Sequence, residues 1–98
     1  DVRPASTLYA PNCFTPNGDG KNDVFKPEFT NMTDIQVWVF DRWGLLIFHT
    51  SDPKTGWNGT VGGDGVVPCQ NDVYEFIVRL RDSKGERHRY IGHVTLVR

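Results

Sequence analysis

Between Val73 and Asp82 apolar side chains occupy every even position: Tyr74, Phe76, Val78 and Leu80. The odd positions are mixed, with Val73, Glu75, Ile77, Arg79 and Arg81. A period of two marks a strand with one strongly buried face. Ser83-Lys84-Gly85 then reads as a three-residue hairpin loop, with Gly85 in the left-handed conformation that a β-carbon resists. This register sets Arg81 opposite Arg87, Arg79 opposite Arg89, Val78 opposite Tyr90, Ile77 opposite Ile91 and Tyr74 opposite Val94. The returning strand runs to Leu96 and Val97.

The middle of the chain repeats the device. Ile35 to Asp41 and Leu45 to Thr50 flank Arg42-Trp43-Gly44, a second loop ending in Gly. The implied pairs are Phe40 with Leu46, Val39 with Ile47 and Trp38 with Phe48. Both faces of this hairpin carry apolar residues, which predicts a central position in the sheet with cover on each side. Residues 51–69, rich in Gly and Pro, read as an irregular excursion anchored by Trp57, and Trp38 and Trp57 both read as core. Leu8 to Tyr9 and Val24 to Phe25 read as short edge strands. The sum is an all-β fold, an immunoglobulin-like antiparallel β-sandwich of about seven short strands.

Composition agrees. Ala is scarce, Met occurs once and Gly reaches 10, with Asp well in excess of Glu, which favours turns over helices. A length of 98 residues is that of one domain with one modest core, with residues 1–7 as a linker remnant. The 11 Lys and Arg nearly cancel the 12 Asp and Glu, so no bulk field draws the chain to nucleic acid or an anionic membrane. No apolar run approaches the ~20 residues of a membrane helix, and nothing at the amino end resembles a signal peptide.

Three features carry possible chemistry. In Thr15-Pro16-Asn17-Gly18-Asp19-Gly20-Lys21-Asn22-Asp23, side-chain oxygens recur at Asn17, Asp19 and Asp23, with the Lys21 carbonyl between them. That alternation suits Ca²⁺, which takes hard oxygen ligands from a tightly curled loop. Asn22 stands where a helix-flanked calcium loop has Gly, and Pro27 opposes a following helix, so the reading is confined to a β-type loop. A turn bonded to its own backbone fits the same residues. Second, Cys13 and Cys69 lack zinc-type spacing and suggest a disulfide, worth roughly 4 kcal/mol on the loop-entropy model and implying an oxidising compartment. A zinc site completed by His88 or His93, or two buried thiols, are the alternatives. Third, the register gathers Arg79, Arg81, Arg87 and Arg89 on one face. Like charges directly opposed are unfavourable, so either a partner carboxylate or sugar acid meets them, or Glu75, Asp82 and Glu86 nearby make this a solvated edge.

Trp43, on a hairpin tip, reads as a docking anchor, a sugar-stacking platform or a cation–π partner of Arg42. Asn31-Met32-Thr33 and Asn58-Gly59-Thr60 match the short glycosylation sequon. His49, His88 and His93 have no Ser or Cys companion at a recognisable catalytic spacing, so no enzyme activity is expected.

The stretch from Pro11 to Phe25, Pro-Asn-Cys-Phe-Thr-Pro-Asn-Gly-Asp-Gly-Lys-Asn-Asp-Val-Phe, resembles the opening signature of the gliding-motility-associated C-terminal domain, the type B sorting domain of the type IX secretion system. Phe40-Asp41-Arg42-Trp43-Gly44 resembles its second block, Trp57-Asn58-Gly59 its third, and Gly92-His93-Val94-Thr95-Leu96-Val97-Arg98 its closing strand. Asn58 departs from the usual acidic residue, and the paired cysteines are a variant feature.

The resemblance implies a β-sandwich that directs a larger exported protein of a Bacteroidetes-type bacterium across the outer membrane. The path leads through the periplasm to the cell surface or the medium. The implied partners are fused N-terminal cargo domains and the outer-membrane translocon, with Arg42, Trp43, Gly44, Val94, Thr95, Leu96, Val97 and Arg98 as the recognition residues. Removing Leu96 to Arg98 is expected to abolish export and leave folding intact. The competing readings are an adhesive or carbohydrate-binding sandwich, with Trp43 and the arginines as its ligand face, and a polymerising spacer that joins subunits at a strand edge.

Overall fold

The computed structural model describes residues 7–16 and 23–97. Its strands are β1 (Thr7–Tyr9), β2 (Cys13–Phe14), β3 (Glu28–Thr30), β4 (Met32–Phe40), β5 (Leu46–Thr50), β6 (Asp72–Asp82) and β7 (Arg87–Leu96), with a single 3-10 turn at Val61–Gly63. They form a five-stranded sheet in the order β2-β7-β6-β4-β5 and a two-stranded sheet of β1 and β3. The all-β, sandwich-like expectation holds, with one departure: β2 runs parallel to β7, so the larger sheet is mixed.

The β6–β7 ladder has the register expected from the alternation, from Asp72 opposite Leu96 to Arg81 opposite Arg87. Tyr74, Phe76, Val78 and Leu80 face inward with Val94 and Leu96, and the odd positions of β6 face out. Gly92 is required where it stands. It lies opposite Phe76, and a β-carbon there would come within 2.7 Å of the Phe76 ring, which fills the space over the glycine.

The β4–β5 hairpin corrects the sequence reading. Phe40 does pair with Leu46, but Val39 meets Phe48 and Trp38 meets His49, because Ile47 is an extra residue at a β-bulge. The slip turns Phe48 inward beside Val39, both buried. The hairpin is not covered on each side: β5 is a sheet edge, and Trp38 and Phe40 lie half-buried on the outer face. A second irregularity, between Thr33 and Gln36, places Asp34 at a φ of 55°.

The inner face is closed by β1 and β3, whose directly opposed Leu8 and Phe29 pack on the core. Val24 to Phe25 is not a full strand. Phe25 makes an isolated bridge to Trp57: its N–H donates to the Trp57 carbonyl at 2.8 Å, and its carbonyl accepts from the Trp57 N–H at 2.9 Å. This bridge ties the first third of the chain to the 51–69 excursion. Around it lies an aromatic seam: Trp57 is 5.2 Å from Phe14 and 5.0 Å from Tyr74, and Phe25 is 5.0 Å from Phe76, ring centre to ring centre.

Candidate functional site

Two hairpin tips share one construction. In the β4–β5 tip, the Asp41 carboxylate accepts hydrogen bonds from the N–H groups of Trp43 and Leu45, both at 2.9 Å, while Gly44 at a φ of 84° donates to the Asp41 carbonyl. In the β6–β7 tip, Asp82 accepts from Lys84 and Glu86, both at 2.9 Å, and Gly85 donates to the Asp82 carbonyl. The signal was present in the sequence as Asp, two residues, Gly, occurring twice. An Asp that bonds its own backbone two residues on stabilises such turns without a tertiary partner.

The first tip presents Trp43, which is 74% exposed. Arg42 links it to the sheet: its guanidinium lies 5.5 Å from the Trp43 ring centre and donates to the Asp72 carboxylate at 3.2 Å. Beside the tip is a shallow cleft of about 190 Å³, lined by Trp43 with Ile47, Val61 and Tyr74. The indole is therefore held out from the body by a fixed turn, next to an apolar recess.

The second tip also carries His88, whose Nε2 is 2.7 Å from the Asp82 carboxylate. That bond, followed by the Glu86 and Lys84 N–H groups, holds the Asp82 carboxyl below its ordinary value of 3.8, against the opposing effect of burial. The Asp72 carboxyl is lowered as well, chiefly by the Val73 N–H and then by Gln70 and Arg42. A carboxyl whose pKa is depressed on folding contributes stability above its unfolded value, and that contribution is lost as pH falls through the folded value. Urea midpoints are expected to be level near neutrality and to fall on acidification below about pH 4. Asp82→Asn, which keeps an acceptor oxygen for Lys84 and Glu86, is expected to flatten that fall, and an acid limb of unchanged depth would count against it. Asp82, Glu86 and His88 are also the one group of three possible metal ligands among the described residues. The Asp82 oxygens are already engaged, one by the turn and the other by His88.

The remaining candidate residues separate. Asn17, Asp19 and Lys21 lie outside the described residues, and of the proposed cation loop only Asp23, half-buried, is seen. The disulfide is corrected: no bridge joins Cys13 and Cys69. Strand alternation is the reason. With Phe14 buried in the core, its neighbour Cys13 points outward, whereas Cys69 is buried on the inner side. Among the described residues neither cysteine lies in a group of three possible metal ligands. In the closing strand Val94 and Leu96 are fully buried, whereas Thr95 is half-buried and Val97 is exposed. Leu96 therefore cannot be deleted without opening the core, contrary to the expectation that folding would survive. Arg98 lies outside the described residues.

Asn58, the departure in the third block, builds the excursion. Its oxygen accepts from the Thr60 N–H and hydroxyl, and its amide donates to the Gly63 carbonyl at 3.3 Å, a bond an aspartate could not make.

Residues 8–96 match the family model described as the CHU_C type IX secretion signal domain. The chain belongs to the CHU_C family. No curated protein matches it. For a CHU_C domain the match implies recognition by the secretion machinery, attachment to a cargo, and export to the cell surface or extracellular space. No helix among the described residues is long and apolar enough to cross a membrane.

Proposed function

We propose that this CHU_C domain is a non-enzymatic C-terminal sorting module whose folded surface, and not a linear peptide, is read by the outer-membrane translocon. It would accompany a fused N-terminal cargo through the periplasm and across the outer membrane. The observation that carries this reading is the braced, three-quarters-exposed Trp43 beside an apolar recess. A rigid aromatic with low ordering cost is the type of residue that dominates protein docking. The histidines support a non-catalytic reading: His49 stacks on Trp38, His88 bonds Asp82, and His93 lies 4.0 Å from Glu75.

Trp43→Ser in a reporter carrying this domain is expected to reduce the exported fraction by about tenfold or more, the scale of a lost docking anchor. The periplasmic pool should stay folded, because Trp43 contributes little to the core. Undiminished export of the folded variant would defeat the proposal, and glycan binding abolished by the same change would favour an adhesive role.

We also propose that Ca²⁺ occupies the Asn17–Asp23 loop through Asn17, Asp19, the Lys21 carbonyl and Asp23, resting on the oxygen spacing alone. A bound ion at about 100-fold its dissociation constant stabilises the native state by about 2.7 kcal/mol. Melting with millimolar calcium should therefore lie several degrees above melting with chelator, and superimposable curves would identify a self-bonded turn.

A further inference from the structure

The outer face of the β6–β7 ladder carries two directly opposed arginine pairs, Arg79 with Arg89 and Arg81 with Arg87. Residues opposed in this way hold their β-carbons about 5 Å apart, and like charges so placed destabilise a sheet. Two of the acidic residues nearby are turned to other partners. Asp82 is engaged by its own turn and by His88, and Glu75 faces His93. Among the described residues the only arginine ion pairs are Arg42 with Asp72 and Arg81 with Asp34, the latter loose at 3.7 Å.

Three of these arginines, Arg79, Arg81 and Arg87, line a cleft of about 490 Å³ whose single carboxylate is Asp34. The cleft opens where β5 stops at Thr50, opposite Val37, so that Asp34 to Gln36 of β4 have no neighbour from β5. Its arginines are unequally fixed. The Arg79 guanidinium lies 5.9 Å from the Trp38 ring centre, and Trp38 is in turn stacked on His49, which orients Arg79 in advance. Arg81 is held poorly: its Nε–H is shut off from solvent and finds no acceptor. Reorienting Arg81 toward a ligand would forfeit only the loose contact to exposed Asp34, and it would release a buried donor that now goes unmet, itself an unfavourable state.

We propose that this cleft is a binding site for a ligand carrying two or more closely spaced oxyanion groups, held by Arg79, Arg81 and Arg87 with Arg89 at its margin. Guanidinium forks bind carboxylate and phosphate oxygens in pairs, and a ligand of this kind would cancel the repulsion that the fold otherwise carries. The site does not depend on the sorting role.

Titration of the labelled protein with citrate and with pyrophosphate, at constant ionic strength and followed by NMR at the arginine Nε–H and backbone amides, tests it. Saturating shifts centred on Arg79, Arg81 and Arg87 are expected. A response to citrate alone assigns a polycarboxylate ligand, and a response to pyrophosphate alone assigns a phosphate ligand; either supports the site. The double variant Arg81→Gln, Arg87→Gln should bind at least tenfold more weakly, and Arg87→Lys, which keeps the charge and loses the fork, should fall between. Shifts that rise without saturation for both anions, or that spread equally to Lys26, Lys54 and Lys84, would overturn the proposal. So would an Arg87→Lys variant and a double variant that both bind like the parent.

Discussion

Trp57→Ala is expected to bring the domain to the edge of unfolding. Trp57 is completely buried, and it performs three tasks at once. Its ring joins Phe14 to Tyr74 across the aromatic seam, its backbone exchanges hydrogen bonds with Phe25, and its Nε1–H donates to the Thr60 carbonyl at 2.8 Å. Truncating a buried tryptophan costs about 3–5 kcal/mol, and a domain of this size has only about 5–15 kcal/mol in total. At a typical slope of 1–3 kcal/mol per molar for small proteins, the urea midpoint should fall by about 2 M. Trp57→Phe separates the causes, because it fills most of the space and loses the Thr60 bond, with an expected cost of about 1–2 kcal/mol. If Trp57→Ala moves the midpoint by less than half a molar unit, the excursion is a surface loop and not the keystone of the inner layer.

The anchoring position of Trp57 was legible from one residue type in a stretch of Gly and Pro. Other parts were legible to different degrees, for physical reasons. The β6–β7 register could be read because one face is apolar and the other largely charged, so a slip by one residue would bury arginine. The β4–β5 hairpin gave no such check. With apolar residues on both faces, neither parity is penalised, and the bulge at Ile47 leaves no mark in composition. The same ambiguity hid Trp38, which lies half-buried on the outer face instead of in the core. The pairing of β2 with β7 joins two residues to a strand near the other end of the chain, and no local pattern announces so short a parallel contact.

The candidate site divides in the same way. Trp43 and the arginine array followed from loop length and strand parity, both local properties. What the arginines lack could not be seen from the sequence, because it depends on Asp82 and Glu75 being engaged elsewhere. The cysteine pairing failed for a related reason. Co-occurrence of two thiols in a small β-domain says nothing of sidedness, and the burial of Phe14 commits Cys13 to the opposite face.

Ending the chain after Leu96 is expected to abolish export while the domain still folds, whereas ending it after Thr95 is expected to abolish both. Leu96 is fully buried, opposite Asp72 on β6 and Phe14 on β2, so its loss leaves a hole worth about 2–5 kcal/mol where the two ends of the fold meet. Val97 is different. It is 42% exposed, and its N–H donates one hydrogen bond to the Phe14 carbonyl, at 3.1 Å. Losing that bond costs about 1 kcal/mol, which lowers a melting midpoint by roughly 4–8 °C in a domain of this size. The shorter deletion thus separates recognition from folding, which removal of Leu96 cannot do. Its readouts are the melting midpoint of the purified domain and the exported fraction of a fused reporter. A folded, shortened domain that exports as well as the parent would place recognition away from the closing strand, on the Trp43 tip alone. Loss of export with that small drop in melting temperature would mean that the translocon reads the exposed margin of β7, while Val94 and Leu96 hold that margin in place from beneath.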